Sequence, residues 1–318
     1  MYNIEIPDDE ILKKIETPLM HNFVKISSKE DPTKFCIMPQ HFADNYLERI
    51  KNMEIFEDDI WVVTFPKCGT TWTQEMTWMI GHNLDYKTSL EVQLDERFPF
   101  VEAGGLTTLI PVDTFEKTKN MPRPRFIKSH LPLFLLPDQL WTVKPKIVYV
   151  ARNPKDTAVS WYHHHRNLHG YQGTKADFIE AFGKDLVLFS PMNNHVIDFW
   201  NIRFQQNILF LFFEDMKRNL SQEVKKVMKF MEKDYSQDEI DKLCVHLSFD
   251  SIKNNKMVNK EGDIKYLMET TGREYNPQNY TFIRKGKVGG YKKELTVEEN
   301  DILDEYIKKA EFEIEYQF

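Results

Sequence analysis

The stretch that decides the fold reads IWVVTF (Ile60–Phe65), PKCGTTW (Pro66–Trp72) and TQEMTWMIGH (Thr73–His82). Its first part is a short apolar run, β-branched and aromatic, closed by Pro66, which predicts a buried strand. From Thr71 onward Trp72, Met76, Met79 and Ile80 recur at helical spacing, so a helix starts at the loop. Gly69 lets the backbone turn sharply between them, and the threonines bring cap and hydroxyl donors. Such a junction aims unpaired N–H groups and the Lys67 ammonium at one point, which suits a phosphate. A strand-turn-helix that merely carries a surface lysine has the same local pattern. The loop is not a Walker A loop: GxxxxGK[ST] puts the lysine after the second glycine, whereas Lys67 precedes Gly69.

Outward from this stretch, RFIKSH (Arg125–His130), KIVYVA (Lys146–Ala151) and NILFLFF (Asn207–Phe213) read as three more strands. The last is wholly apolar, as expected of a strand buried on both faces. Helical spacing follows the turn Arg152–Asp156, from Thr157 to Tyr162, and again over Glu223–Met231 and Gln237–Leu247. It is also found over Pro39–Met53, and over Val297–Ala310 with Ile302, Leu303, Tyr306 and Ile307 on one face. Residues 1–59 are otherwise mixed and polar and mark no separate domain. Residues 83–124 read as surface helices and loops around a pocket. Strands alternating with helices predict an α/β fold, a single domain over 1–318 with a central parallel sheet flanked by helices. Ligands bind at the carboxyl ends of such strands. Lys67, His130 and Arg152 each lie just past one, so three segments converge on one crevice.

Composition narrows the class. The 318 residues are 41% hydrophobic and 13% aromatic, which fits a globular enzyme, and a net charge of −7 argues against a nucleic-acid binder. Cys36, Cys68 and Cys244 are odd in number and lack metal spacing, which predicts a reducing compartment without structural disulfides. The acidic start MYNIEIPDDE has no apolar core, so it does not read as a signal peptide, and the run Ile208–Phe213 is far too short for a membrane span. The expectation is a soluble cytoplasmic protein, in which the sequons at Asn219 and Asn279 are chance matches. His163, His164 and His165 diverge by about 100° per residue on a helix, so they do not form a metal site.

Four segments then matter together: TFPKCGTTW (Thr64–Trp72), Lys128 with His130, ARNPKDTAVS (Ala151–Ser160) and FIRKGKVGGYKKELT (Phe282–Thr296). The chain resembles the cytosolic sulfotransferases, which move a sulfuryl group from 3′-phosphoadenosine-5′-phosphosulfate (PAPS) to a small acceptor. The first segment is similar to that family's P-loop-like 5′-phosphosulfate loop (YPKSGTTW), the third to its 3′-phosphate segment and the fourth to RKGxxGDWKNxFT. The resemblance runs from Trp61 to Asp301. It implies that Lys67, Cys68, Gly69, Thr70, Thr71 and Trp72 hold the 5′ end and adenine. Arg152, Ser160, Arg284, Lys285 and Gly286 would hold the 3′-phosphate, in keeping with arginine's bidentate geometry. Ser248 and Phe249 would lie beside adenine; the plain alternative is a core phenylalanine.

The resemblance also implies His130 as catalytic base, Lys128 as an assisting lysine, and Ser160 as the residue that holds Lys67 aside until acceptor binds. Chemistry of this kind needs in-line positioning and charge stabilisation, with no metal. The product would be PAP. Four departures stand out: Cys68 for serine, a thiol open to oxidation if the loop lowers its pKa; Leu247 for a polar residue; Phe213 for tyrosine; and Gly289-Gly290-Tyr291 for Gly-Asp-Trp. Lys292-xxx-Thr296-Val297-xxx-Asp301 resembles a dimerisation signature, KxxxTVxxxE, or is a capped surface helix. The acceptor, a phenol, steroid, retinoid or other alcohol, would be lined by the N-terminal region and by residues 83–112, 161–172 and 252–280, whose aromatic content suits an aromatic or polyisoprenoid compound. Two other readings compete. One is the insect retinol dehydratase branch, which NILFLFFED and FIRKGK also resemble and which achieves net dehydration through a transient sulfate ester. The other is a nucleotide-binding scaffold or kinase.

Overall fold

The computed structural model describes residues 2–276 and 281–309; Ala310 and the sequon asparagine Asn279 lie outside them. The chain begins with a sheet absent from the sequence reading. Strands β1 (Tyr2–Glu5), β2 (Phe23–Ser28) and β3 (Phe35–Pro39) pair antiparallel in that order. The segment expected to be one helix from Pro39 to Met53 is two, Gln40–Asn45 and Leu47–Lys51, broken at Tyr46, and Pro39 belongs to β3.

The central sheet has four parallel strands, β4 (Ile60–Val63), β5 (Phe126–Ser129), β6 (Lys146–Ala151) and β7 (Ile208–Phe212), in the order β5-β4-β6-β7. Side chains alternate across it with period two. Trp61, Val63, Ile147 and Tyr149 enter one core, shared with β2, β3 and the helix Pro154–His164. Ile60, Val62, Val148 and Val150 enter the other, with Met76, Met79 and Ile80 of the helix Thr70–Gly81. β4 is buried throughout, and each such aliphatic side chain stabilises by about 1.5–3 kcal/mol. β7 differs from expectation. It is one of the two edge strands, and Leu209, Phe210 and Phe212 are only half-buried, packed under Trp200 and the helix Leu220–Phe230. An uninterrupted apolar run does not reveal how many neighbours a strand has.

The register lines up the carboxyl ends. Val63 pairs with both Ser129 and Tyr149, so the Lys67 loop, His130 and Arg152 leave the sheet side by side. The tail helix is Val297–Lys308, with Leu303 and Tyr306 buried but Ile302 partly exposed. Among the described residues no helix is long and apolar enough to cross a membrane.

Candidate active site

At the carboxyl edge of the sheet lies a cavity of about 620 Å³, lined among others by Lys67, Lys128, His130, Arg152 and Ser160. The loop that opens it is left-handed at Lys67 (φ 68°) and Gly69 (φ 102°). A Cβ on Gly69 would come within 2.8 Å of the Phe213 ring, so glycine is required there for space as well as for φ. Among the described residues no side chain caps the helix Thr70–Gly81. Thr70 Oγ1 instead meets Thr64 Oγ1 at 2.6 Å. The first-turn N–H groups therefore keep the character of an anion site.

His130 follows β5, two residues after Lys128, so both side chains leave the same face of the strand. Its Nδ1 lies 2.8 Å from the Thr64 carbonyl oxygen. A carbonyl only accepts, so Nδ1 carries the proton and Nε2 the lone pair. Burial first, then Lys128, pushes this imidazole well below its ordinary range. Phe100 and Phe189 stand edge-on to the ring at 5.0 and 5.5 Å. The backbone of Phe189 is held by Ile37 of β3, which exchanges bonds with the Phe189 N–H and the Ser190 carbonyl (2.9 and 3.1 Å). The N-terminal sheet thus builds one wall of the His130 site. Behind the strand end, buried Glu102 accepts from the His130 N–H (2.5 Å) and Ser129 Oγ (3.1 Å). Neither Phe189 nor Glu102 was apparent from sequence, because nothing local ties either to His130.

Lys67 Nζ sits 3.2 Å from His164 Nδ1 and 4.3 Å from the centre of the Phe282 ring. Its separation from bulk water, with Lys128 and Arg152 nearby, lowers its pKa to about 7. Ser160, expected to hold Lys67 aside, stands on the same helix as His164. Ser160 lines the cavity, but His164, one helical turn further on, is the side chain that Lys67 meets. Lys128 is likewise drawn below the usual lysine range, by burial and then Lys260.

The other end of the cavity is cationic. Arg152 donates to the Lys67 and Lys287 carbonyls (2.9 and 3.2 Å), and its buried Nε has no partner among the described residues. Arg284 and Lys285 both reach Glu294 Oε1 (3.0 and 2.6 Å), while His163 Nε2 meets Oε2 at 2.5 Å. Burial alone would raise the Glu294 carboxyl; the bonds from Lys285, His163 and Arg284 override it, to about 2. Asp156 accepts from the N–H groups of Gly289 and Tyr291 (2.6 and 3.0 Å), which holds the glycine-rich loop against the helix Pro154–His164. Trp72 donates to the Leu247 carbonyl at 2.8 Å, and Phe249 packs on Gly286, where a Cβ would meet its ring at 2.6 Å. Thr70, Thr71, Trp72, Phe249, Arg284, Lys285 and Gly286 all line this half. An orphaned buried guanidinium N–H, uncapped helix N–H groups and aromatic walls fit a polyanionic nucleotide.

Two expected residues stand elsewhere. Ser248 caps the helix Phe249–Asn254 by accepting from Ser251 N–H, and does not line the cavity. Cys68 points into the core beside Thr157 Oγ1 (3.7 Å), and burial raises its thiol to about 12. The lowered pKa on which oxidation of Cys68 is conditional does not arise, because desolvation outweighs the helix start.

The remaining half is apolar, lined by Met20, Phe100, Leu106, Leu188, Phe189 and Leu267. Residues from each segment expected there contribute, except 277–280, which lie outside the described residues. The helix Glu261–Thr270 covers this half and is tied at both ends. Lys260 pairs with Asp95 (2.5 Å), and Arg273 donates to the Asn167 and Leu168 carbonyls (2.9 and 2.5 Å). His163, His164 and His165 bond in three different directions, to Glu294, Lys67 and the Ile15 carbonyl.

Fold and cavity fit an α/β protein that binds a polyanionic nucleotide at the carboxyl edge of its sheet. Residues 57–313 match the family profile "Sulfotransferase domain". The chain is 37% identical over 287 residues to luciferin sulfotransferase of Photinus pyralis, covering 84% of this chain and 76% of that one. It is 38% identical over 269 residues to sulfotransferase 1C2 of Rattus norvegicus, covering 84% and 87%. Crystalline retinol dehydratase, in complex with androsterone and inactive cofactor PAP, superposes with a TM-score of 0.87 at 26% identity, covering 100% and 98%. The chain belongs to the sulfotransferase family. It is a PAPS-dependent sulfotransferase.

Proposed function

We propose that the chain, one domain over its 318 residues, transfers the sulfuryl group of PAPS in the cytoplasm to a hydroxyl or amine of a small, hydrophobic acceptor, with His130 as general base. The observation that carries this is the His130 tautomer: Nδ1 bonded to the Thr64 carbonyl, and Nε2 left as a neutral lone pair in the cavity beside Lys67 and Lys128. His130 Nε2 takes the acceptor's proton as the acceptor oxygen bonds to sulfur. The bond from sulfur to the 5′-phosphate oxygen breaks, and PAP leaves. Lys67, released from His164, and Lys128 stabilise charge on the sulfuryl and bridging oxygens. Arg152, Ser160, Arg284, Lys285 and Gly286 hold the 3′-phosphate, and Trp72 and Phe249 flank adenine. Val297, exposed at the start of the tail helix, supports a homodimer contact through Lys292–Asp301, although Thr296 and Glu299 also form a complete capping box there.

The likeness to retinol dehydratase supports a second reading, sulfonation followed by elimination. Product mass separates the two. Incubation with PAPS and a panel of phenols, steroids and terpenoid alcohols is expected to yield sulfate esters; dehydrated products with free sulfate would establish elimination instead. Calorimetry is expected to show PAP bound well above ATP with magnesium, and the opposite preference would sink both readings.

A further inference from the structure

The apolar half of the cavity holds a second imidazole lone pair. The helix Pro154–His164 runs into a π-helical turn, His165–His169, a distortion frequent at functional positions. His165 Nε2 lies 2.6 Å from the Ile15 carbonyl oxygen. The carbonyl only accepts, so Nε2 carries the proton, and in a neutral ring Nδ1 carries the lone pair. His169 Nδ1 lies 2.9 Å from that Nδ1. It must therefore be the donor, which leaves Nε2 of His169 unprotonated. Burial keeps both rings neutral, His165 at about 4 and His169 well below its ordinary range.

His169 is 4% exposed and lines the cavity, and its Nε2 has no protein partner among the described residues. Its ring stands 4.9 Å from that of His164, whose Nδ1 is 3.2 Å from Lys67 Nζ. The lone pair thus lies one imidazole away from the reacting centre, within the span of a small ring system. Trp161 stands edge-on to the His169 ring at 5.6 Å and Leu168, Leu188 and Leu267 line the same cavity, while Arg273, which donates to the Asn167 and Leu168 carbonyls, and Lys67 are the charges that act on it. A substrate that covered this nitrogen without a donor would leave it desolvated and unpaired, at a cost equivalent to about 10- to 100-fold in affinity.

We infer that His169 Nε2 accepts a hydrogen bond from a second hydroxyl or N–H of the acceptor. The preferred substrates are then diols, dihydroxy-aromatics or amino-alcohols rather than mono-ols on the same skeleton. This deepens the proposed function and rests on its placing of the acceptor in the apolar half. His169 is a specificity-determining residue; His130 does the proton transfer.

The test is calorimetric and independent of turnover. Matched pairs, 2-naphthol against the dihydroxynaphthalenes and mono- against dihydroxysteroids, are titrated into the protein saturated with PAP. In each series at least one dihydroxy isomer is expected to bind about 10- to 100-fold more tightly than its mono-ol. His169→Phe is expected to bring the ratio within about threefold, mainly by tightening the mono-ol, as the unpaired nitrogen is gone. His169→Gln, which offers both a donor to His165 and an acceptor to the ligand, is expected to keep most of the preference. Because each ratio compares two ligands on one protein, incomplete folding of a variant cancels. Equal binding of every pair by the wild type overturns the inference, and so does a preference that survives His169→Phe. Failure to sulfonate any of these compounds while the binding ratios hold would count against the transfer reaction alone.

Discussion

The cationic half of the cavity and its apolar half are assembled from different kinds of segment. The cationic half is made by residues at strand ends and by a glycine-rich loop. Their positions follow from sheet register: Val63, Ser129 and Tyr149 pair, and Lys67, His130 and Arg152 come out together. The apolar half is made by pieces remote in sequence, Met20, Leu106, Leu188 and Leu267, which meet only because β3 and the covering helix bring them there. The contrast teaches that binding the donor is a property of the sheet, whereas choosing the acceptor is a property of what is packed over it.

The sharpest way to break that division is at the residue between the halves. His130→Ala is expected to lower kcat by about 10²- to 10⁴-fold while PAP affinity, read by calorimetry, stays unchanged. Undiminished turnover would remove His130 from the reaction. On the cationic side, Arg284→Ala is expected to weaken PAP binding by about tenfold, the loss of a charge-assisted contact. Glu294→Gln is expected to strengthen it severalfold, because Arg284 and Lys285 no longer share their charge with a carboxylate. Neither should alter selectivity between mono- and dihydroxy ligands; a change there would show that the halves are coupled.

Acid sharpens the comparison from the other side. His130, His164, His165, His169 and His195 are all held below their ordinary pKa chiefly by burial, His165 and His195 to about 4. The unfolded chain therefore binds more protons below about pH 6.5. Stability is full above that value and falls as pH drops toward the folded values. From pH 6.5 to 5.5 each histidine is expected to remove about 1 kcal/mol. Thermal melting at pH 7.5 and 5.5 checks this, and His165→Leu should reduce the drop; a flat Tm would show that these rings are not neutral in the fold. The smallest effect is expected at Cys68→Ser, within about twofold in kcat/KM, with no wild-type Cys68 modification by iodoacetamide at pH 8, since desolvation keeps the thiol protonated.

Much of the cationic half was legible because short apolar runs ended by Pro66, His130 and Arg152 mark both a strand and its exit. The sequence was silent on the N-terminal sheet: β1 is four residues long with little buried surface, so no periodicity announces it. Ser248 and Phe249 are adjacent in the chain, yet one caps a helix and the other lines the cavity. Ser160 and His164 share one helix face, and only side-chain reach decides that Lys67 meets the histidine.

The chain by itself determined the α/β class, the loop at Lys67, and the convergence of Lys67, His130 and Arg152, because strand and helix periods and turn chemistry are local. Tertiary structure decided which proton each buried imidazole carries, which cations Glu294 neutralises, and that burial pushes the Cys68 thiol up. Those depend on burial and on a partner arriving from a distant segment, and neither is written in the spacing of neighbouring residues.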